Sequence, residues 1–192
     1  MRSFFSKFKF FSIVLFCLSA IIIYLFYNAL QPNATLPIYQ PSRVNPELVD
    51  ASIQYVKKYH TIADFSLINQ NGETITQEDY SDKIYIADFF FTTCPTICPV
   101  MTKNLVAIQN QLKNDDVMLL SHSVTPEIDS LARKSYMAVK TDGDGGPYDM
   151  IHTENFVLVD KKRQVRGYYD GTKTEDIDQL MEDLKLLQAS YN

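Results

Sequence analysis

The chain has 192 residues, of which 46% are hydrophobic, and a formal net charge of −5, so it is long enough for one folded domain with additional segments. The acidic excess lies beyond residue 30, where 15 basic and 23 acidic residues give a formal charge of −8. No basic patch is present, which argues against a nucleic-acid-binding protein.

The first 30 residues have the pattern of a membrane anchor. Residues 1–9 contain Arg2, Lys7 and Lys9 and no acidic residue, whereas residues 10–30 contain no charged residue. An uncharged segment of this length is long enough to cross a bilayer as a helix. Because the basic residues precede it, the positive-inside rule predicts a cytoplasmic N-terminus and a main domain on the outer side of the membrane.

A cleaved signal peptide is the alternative for this segment, but no A-x-A cleavage site follows it. Cys17 lies within the segment after the bulky Phe16, so it does not fit a lipoprotein cleavage site and is interpreted as an apolar residue of the anchor. We therefore expect a single-pass protein of the bacterial inner membrane, with its main domain in the periplasm or an equivalent outer compartment.

Residues 31–59 contain four prolines, which predicts a linker between the anchor and the main domain. Within this linker, Glu47 to Tyr59 shows loose helical periodicity that is compatible with a short helix. The main domain is placed at residues 60–192.

The main domain is predicted to alternate strands and helices. Residues 62–68 and 74–76 flank Asn71-Gly72, a strong hairpin signal. Ile84 to Phe91 is a continuous apolar run of the kind buried on both faces of a sheet. The later elements are a helix ending near Lys113, a strand over Val117–Val124, a helix over Asp129–Val139, a loop over Asp142–Pro147, strands over Phe156–Val159 and Val165–Tyr169, and a helix over Thr174–Leu187 capped by Thr174.

The most informative residues follow the buried strand. Cys94 and Cys98, each followed by a proline, lie where that strand turns into a helix, which starts either directly after Cys94 or near Pro99. The first turn of a helix offers unpaired amides and the positive end of the helix dipole, and both favour a thiolate over a thiol. Helical residues four positions apart lie on the same side, so both sulfur atoms can reach one point.

The order of elements after the hairpin resembles the thioredoxin core, an α/β fold with helices on both faces of a sheet. Asp88 stands six residues before the first cysteine, where thioredoxins also have an acidic residue. Two features differ from that family. Three residues rather than two separate the cysteines, and His152 occupies the region in which thioredoxins have a cis-proline.

The chain resembles most closely the SCO/SenC family of membrane-anchored, thioredoxin-like copper chaperones, over most of residues 60–187. The resemblance implies that Cys94, Cys98 and His152 bind copper, as Cu(I) or Cu(II) and at about one ion per chain. It also implies assembly of the dinuclear copper centre of cytochrome c oxidase, with the copper-receiving subunit as partner and other copper chaperones or thioredoxin-like reductants as further candidates. The matching residues are Cys94-Pro95, Cys98-Pro99, Ser123-Val124, Pro126-Glu127, Asp129, His152 and Val157–Asp160.

Two departures from the family pattern stand near the middle of the domain. Thr125 occupies a position at which the family commonly has aspartate, and a helix–strand–helix segment is absent near Ser130 and Leu131. We expect this loss to remove part of one sheet edge and its cover, and so to lower the stability of the domain.

The donor set supports copper on chemical grounds as well. Two thiolates and one imidazole suit Cu(I), and Cu(II) also accepts nitrogen and sulfur, whereas structural zinc usually takes four ligands. A structural disulfide is the plainest alternative, and an oxidising compartment permits one. However, a disulfide across one helical turn closes a very small loop and adds little stability.

The other polar candidates are interpreted more simply. His122 is expected to be a hydrogen-bonding neighbour of the site rather than a ligand, and His60 a surface residue. Asp88 is either a proton acceptor for the cysteines or an acid satisfied by a nearby hydroxyl or water. The acidic run Asp142–Asp149 lacks the EF-hand pattern and is predicted to be a solvated loop. Asp160–Arg163 is predicted to be a turn in water.

Three functions compete. A copper chaperone, which is not a turnover enzyme, is favoured. A thiol-disulfide oxidoreductase that reduces the cysteines of copper-site proteins through Cys94 and Cys98 is the alternative enzyme. A peroxidase is disfavoured, because Phe91 stands where that chemistry requires a threonine three residues before the attacking cysteine.

Overall fold

The computed structural model describes residues 2–30, 35–92, 94–112, 116–139 and 154–191. The chain divides into two compact units, Met1–Ala34 and Thr35–Asn192. The first unit contains one helix, α1 (Arg2–Leu30), which includes the predicted anchor. Within the described residues, none of the helices combines the length and the hydropathy that a membrane span requires.

The first strands of the second unit form the predicted hairpin. Strands β1 (Ser66–Ile68) and β2 (Thr74–Thr76) pair antiparallel. The turn between them depends on Gly72, whose φ of 81° lies in the left-handed region that glycine adopts without steric cost. The Asn69 side chain accepts hydrogen bonds from the amides of Asn71 and Glu73 and holds the turn closed.

Four strands form the main sheet: β3 (Ile84–Phe90), β4 (Val117–Ser123), β5 (Asn155–Val159) and β6 (Val165–Asp170), in the order β4-β3-β5-β6. Strand β4 runs parallel to β3, and the other two pairs are antiparallel. All four predicted strands are confirmed to within one residue at each end. Strand β3 is central because its apolar run can be buried on both faces.

Alternate residues of β3 face two hydrophobic clusters on opposite sides of the sheet. Ile84 and Ile86 pack in one cluster with α2 (Ile97–Gln111) and α4 (Thr174–Ala189). Tyr85, Ala87 and Phe89 pack in the other, with the residues that follow β4 and with part of the segment before the hairpin. Cys98 is a buried residue in the first turn of α2, the helix that packs on the first cluster.

The helix after β4 differs from the prediction. It was predicted over Asp129–Val139, but α3 spans Pro126–Leu131 and continues as one π-helical turn over Ala132–Tyr136. It starts earlier because the Thr125 hydroxyl accepts the Ile128 amide at 3.4 Å and a proline follows as the first helical residue. It ends earlier because Met137 adopts the left-handed conformation, with φ 53°.

Two further expectations were wrong. Glu47 to Tyr59 forms no α-helix; the regular structure there is one 3₁₀ turn, Pro46–Leu48, whose cap is the Asn45 side chain. The cap of α4 is Lys173 rather than Thr174, which is already the first helical residue.

Residues of the predicted linker lie against the sheet through a cluster centred on Arg166, which bonds them to β6. Its guanidinium donates from Nη1 to Asp160 Oδ2 at 2.8 Å, from Nη2 to the Leu36 carbonyl at 2.6 Å and from Nε to the Pro37 carbonyl at 3.0 Å. Asp160 was expected in a water-exposed turn, but its side chain is 1% exposed and also accepts the amides of Lys162 and Gln164. The turn between β5 and β6 is therefore built around a buried carboxylate.

Candidate metal centre

The two cysteines lie at the carboxyl end of β3, just before and within the first turn of α2. Thr96 is the cap and Ile97 the first helical residue, so the helix begins between the two starts that the prolines suggested. Both side chains are buried, at 8% exposure, and both are free thiols. The Cys98 amide donates to Cys94 Sγ at 3.5 Å, which places the first sulfur at the helix N-terminus.

The environments of the two thiols differ. Burial raises the pKa of the Cys94 thiol, but the Cys98 thiol and the amides of Cys98, Thr96 and Ile97 donate to it and lower the pKa to about 7. Burial raises the pKa of Cys98, and its hydrogen bond to Cys94 raises it further. Cys94 is therefore the more readily ionised of the two thiols.

Asp88 lies on the same side of β3 as these sulfurs. It is 4% exposed, and Ser121 Oγ on the neighbouring strand donates to its Oδ1 at 2.5 Å. Burial raises the pKa of this carboxyl to about 6, although the Ser121 hydrogen bond opposes the shift. The carboxylate also contributes to the raised pKa of Cys98. The hydroxyl partner expected in one interpretation of Asp88 is present; its role as a proton acceptor stays a prediction.

We expect Asp88→Asn to raise the free energy of unfolding by about 1–3 kcal/mol at pH 8, because it removes a carboxyl whose ionised form is disfavoured by burial. In the folded protein the pKa of Asp88 is about 6, above its ordinary value of 3.8. The penalty is therefore complete above pH 6 and disappears as the pH falls towards 4, so the advantage of the variant should disappear over the same range.

Urea denaturation between pH 4 and pH 8 measures this difference, with the exposed Asp116→Asn as the matched control. Burial lowers the pKa of His122 to about 4. The free energy of unfolding of the variant should therefore fall as the pH drops from 6.5 to 4, which is opposite to the effect of Asp88 in the parent protein. A variant that is no more stable than the parent at pH 8 would contradict this account of Asp88.

His122 lies on the other face of the sheet, so its predicted place as a neighbour of the site is wrong. In the parallel register, His122 pairs with Phe89 and Ser121 pairs with Asp88. Because successive side chains of a strand point to opposite faces, His122 and Ser121 lie on opposite faces of the sheet. Its ring stacks on Phe89 with centroids 5.1 Å apart, and Nε2 lies 3.4 Å from the Tyr136 hydroxyl. It is a core residue in an aromatic cluster.

The remaining predicted residues are placed as follows. His60 is only partly exposed, and its Nε2 lies 2.8 Å from the Ser135 carbonyl, so it connects distant segments rather than standing free on the surface. Cys17 is exposed on α1. His152 and the acidic run Asp142–Asp149 lie outside the described residues. In the described ranges, no cluster of three or more histidines, cysteines or acidic residues is arranged to hold a metal ion.

Sequence reasoning missed a groove of about 720 Å³ beside the cysteines. It runs from the end of β3 along the exposed side of α2. Its presence depends on how the turn after β3 packs on the helix, and no local pattern encodes that. The groove is lined by Phe90, Phe91, Thr92, Cys94, Cys98, Pro99, Thr102, Lys103 and Val106.

Comparisons with known proteins agree with the motif and the fold. The family model described as SCO1/SenC matches residues 54–134. The SCO1 protein homolog of Bacillus subtilis is 28% identical over 159 residues, covering 66% of this chain and 82% of the relative. Protein SCO1 homolog 1, mitochondrial, of Arabidopsis thaliana is 30% identical over 126 residues, covering 62% of this chain and 35% of the relative.

The solved structure of BsSco is described as a member of the Sco family of cytochrome c oxidase assembly proteins in which a disulfide switch was identified. It superposes with a TM-score of 0.56 at 28% identity, covering 67% of this chain and 93% of that chain. Together with the family model and the cysteine motif at the start of α2, this match supports a thioredoxin-like fold. The chain is therefore similar to the SCO1/SenC family over residues 54–134.

Proposed function

We propose that this protein is a copper chaperone that binds one copper ion through Cys94, Cys98 and His152 and serves the maturation of the dinuclear copper centre of cytochrome c oxidase. The observation that carries the proposal is the buried pair of free thiols at the first turn of α2, with the pKa of Cys94 lowered to about 7. Copper is the cargo, so the protein is a carrier rather than a turnover enzyme.

The thiol pair fits soft metal ions. Two sulfur donors that already contact each other can bind Cu(I) with little movement of the chain. Burial lowers the local dielectric and favours the neutral or singly charged complex over free ions. The B. subtilis relative is named as a SCO1 homolog, and BsSco is assigned to a family of cytochrome c oxidase assembly proteins, which supports a role for this chain in the assembly of that oxidase.

The third ligand decides between this function and its alternative. We expect His152→Ala to leave a weaker Cu(I) site and to abolish most Cu(II) binding, because Cu(II) favours more ligands than the two sulfurs supply. Metal analysis of the reduced protein after exposure to each copper state measures this, with His60→Ala as the matched histidine control. Unchanged binding of both copper states by His152→Ala would contradict the proposed ligand set.

A thiol-disulfide oxidoreductase is the second candidate function. It is favoured by the unequal thiols, since a low-pKa Cys94 next to a higher-pKa Cys98 is the arrangement of an attacking and a resolving cysteine. The disulfide switch described for BsSco supports redox activity of this pair. A dithiol reductase does not require His152, so the same variant separates the two candidates.

We propose that the second compact unit lies outside the cytoplasm and that residues 10–30 attach it to the membrane. The apolar side chains of α1 support this placement, because large residues around the helix are exposed, including Phe16 at 74% and Ile23 at 68%. Such a helix needs an apolar environment on all sides. The basic residues that precede the segment favour the outer compartment for everything after it.

A reporter that is active only in the periplasm, fused after Asn192, should be active in a bacterial host. The physical reason is the positive charge of residues 1–9, which is retained on the cytoplasmic side. Activity of a matched cytoplasmic reporter on the same fusion is expected to be absent. A stable fusion with the opposite pair of activities would show that the orientation is reversed.

A further inference from the structure

The groove beside the cysteines continues from the thiols along one stripe of α2. Cys98, Thr102 and Val106 lie four residues apart and share that stripe, and Phe90 and Phe91 also line the groove. Val106 is 49% exposed although it is apolar. The walls are therefore largely hydrophobic, and the groove opens directly onto the reactive sulfur atoms.

Lys103 is the one charged residue among those that line the groove in the described part of the chain. It is exposed and takes part in none of the ion pairs of the described residues. The segment from residue 31 onward carries a formal charge of −8, so a cation at the rim of this groove is notable. A partner with a carboxylate near Lys103 would gain a charge pair at an otherwise apolar surface.

The distances between residues along α2 determine which residues of a bound peptide would lie beside Lys103 and Val106. At 1.5 Å of rise per residue, Lys103 lies about 7–8 Å beyond Cys98 and Val106 about 12 Å beyond it. An extended peptide advances about 3.3 Å per residue. A peptide whose cysteine lies level with Cys98 would thus bring its second residue beyond the cysteine to Lys103 and its fourth to Val106.

We infer that this groove is the docking surface for the recipient protein, and that it accepts an extended segment with a cysteine, an acidic residue two positions away and an apolar residue four positions away. This deepens the proposed function, because it gives the chemistry of the recipient segment that the copper site serves. Selectivity then comes from Lys103 and Val106, which lie outside the thiol pair itself.

Thiol exchange with a synthetic peptide tests docking without copper. The probe is the capped peptide Cys-Gly-Glu-Gly-Leu, or its reverse sequence, with the cysteine sulfur bonded to thionitrobenzoate. The Cys94 thiolate attacks the peptide sulfur, the bond to thionitrobenzoate breaks, and the coloured thionitrobenzoate anion leaves with the electron pair. Cys98 then loses its proton to solvent and attacks Cys94, which forms the intramolecular disulfide and releases the peptide thiolate.

The full chain in detergent micelles, carrying Cys17→Ser, is mixed with each peptide at low salt. We expect the better of the two sequence directions to react about tenfold faster than N-acetylcysteine activated in the same way. Replacing the peptide Glu by Lys should slow the reaction severalfold, and Lys103→Glu should reverse that preference. The parent protein should react faster with the peptide that contains Leu than with one that contains Ser at the same position. Val106→Ser should remove this difference in rate.

The matched controls are Lys58→Glu and Val100→Ser, which change the same residue types at exposed positions that do not line the groove. The rates of Lys58→Glu and Val100→Ser should equal those of the parent with every probe, and the peptide rates of each variant are divided by its own rate with activated N-acetylcysteine. Equal rates for all peptides, or preferences that Lys103→Glu and Val106→Ser leave unchanged, would overturn the docking surface. Copper binding does not enter this assay, so its failure and the failure of the copper proposal are distinguishable.

Discussion

Cys94→Ser and Cys98→Ser should each lower the affinity for Cu(I) by roughly a hundredfold or more, that is by about 3 kcal/mol or more. The loss should exceed that of His152→Ala, because soft sulfur donors supply most of the preference for Cu(I). Cys94 should be the more sensitive position near neutral pH, since the helix amides stabilise its thiolate. Competition against a Cu(I) chelator measures these affinities.

Cys17→Ser is the matched control for this series. Cys17 lies on α1, in the first compact unit, and it should leave the copper affinity unchanged. The account of the site is wrong if either serine variant of the thiol pair competes for Cu(I) as well as the parent protein.

Arg166→Ala should destabilise the second compact unit by about 3–5 kcal/mol, because it leaves the buried Asp160 carboxylate without its cation. Asp160 is 1% exposed, and Arg166 also bonds the carbonyls of Leu36 and Pro37. Denaturant titration gives the free energy of unfolding, and an altered m-value would report detachment of the segment before the hairpin.

A surface pair provides the comparison. Lys83 lies 3.8 Å from Asp116, whose side chain is 63% exposed, so Lys83→Ala should cost about 1 kcal/mol or less. The double variant Arg166→Ala, Asp160→Asn should recover part of the stability, since it removes the unpaired charge. Equal destabilisation by Arg166→Ala and Lys83→Ala would show that the buried pair has no special role.

Much of the sheet could be predicted because its signals are local. The apolar run over Ile84–Phe90 requires burial on both faces, and Asn71-Gly72 requires a tight turn. The first and last residues of α3 could not be predicted in this way. They depend on the Thr125 cap and on the left-handed Met137, neither of which follows from hydrophobic periodicity.

The position of the cysteine pair between a strand and a helix could also be predicted from the sequence, although the prolines left two possible helix starts and α2 begins between them. The face on which His122 lies could not be predicted, because it depends on the register between β3 and β4. The Arg166 cluster joins residues 130 positions apart, and the groove forms only when the turn after β3 packs on α2. The third copper ligand, His152, and the reduced stability expected from the missing middle segment stay predictions.

Copper stoichiometry on the reduced and the oxidised protein tests the central claim most directly. Residues 35–192 would be reduced or converted to the Cys94–Cys98 disulfide, exposed to Cu(I), separated from free metal and analysed for copper. The reduced protein should retain about one copper ion per chain and the oxidised protein none, because a disulfide offers no thiolate donor. Tight retention of copper by the oxidised protein, or none by the reduced protein, would contradict the proposal, and the thiol-disulfide oxidoreductase would then be the better account.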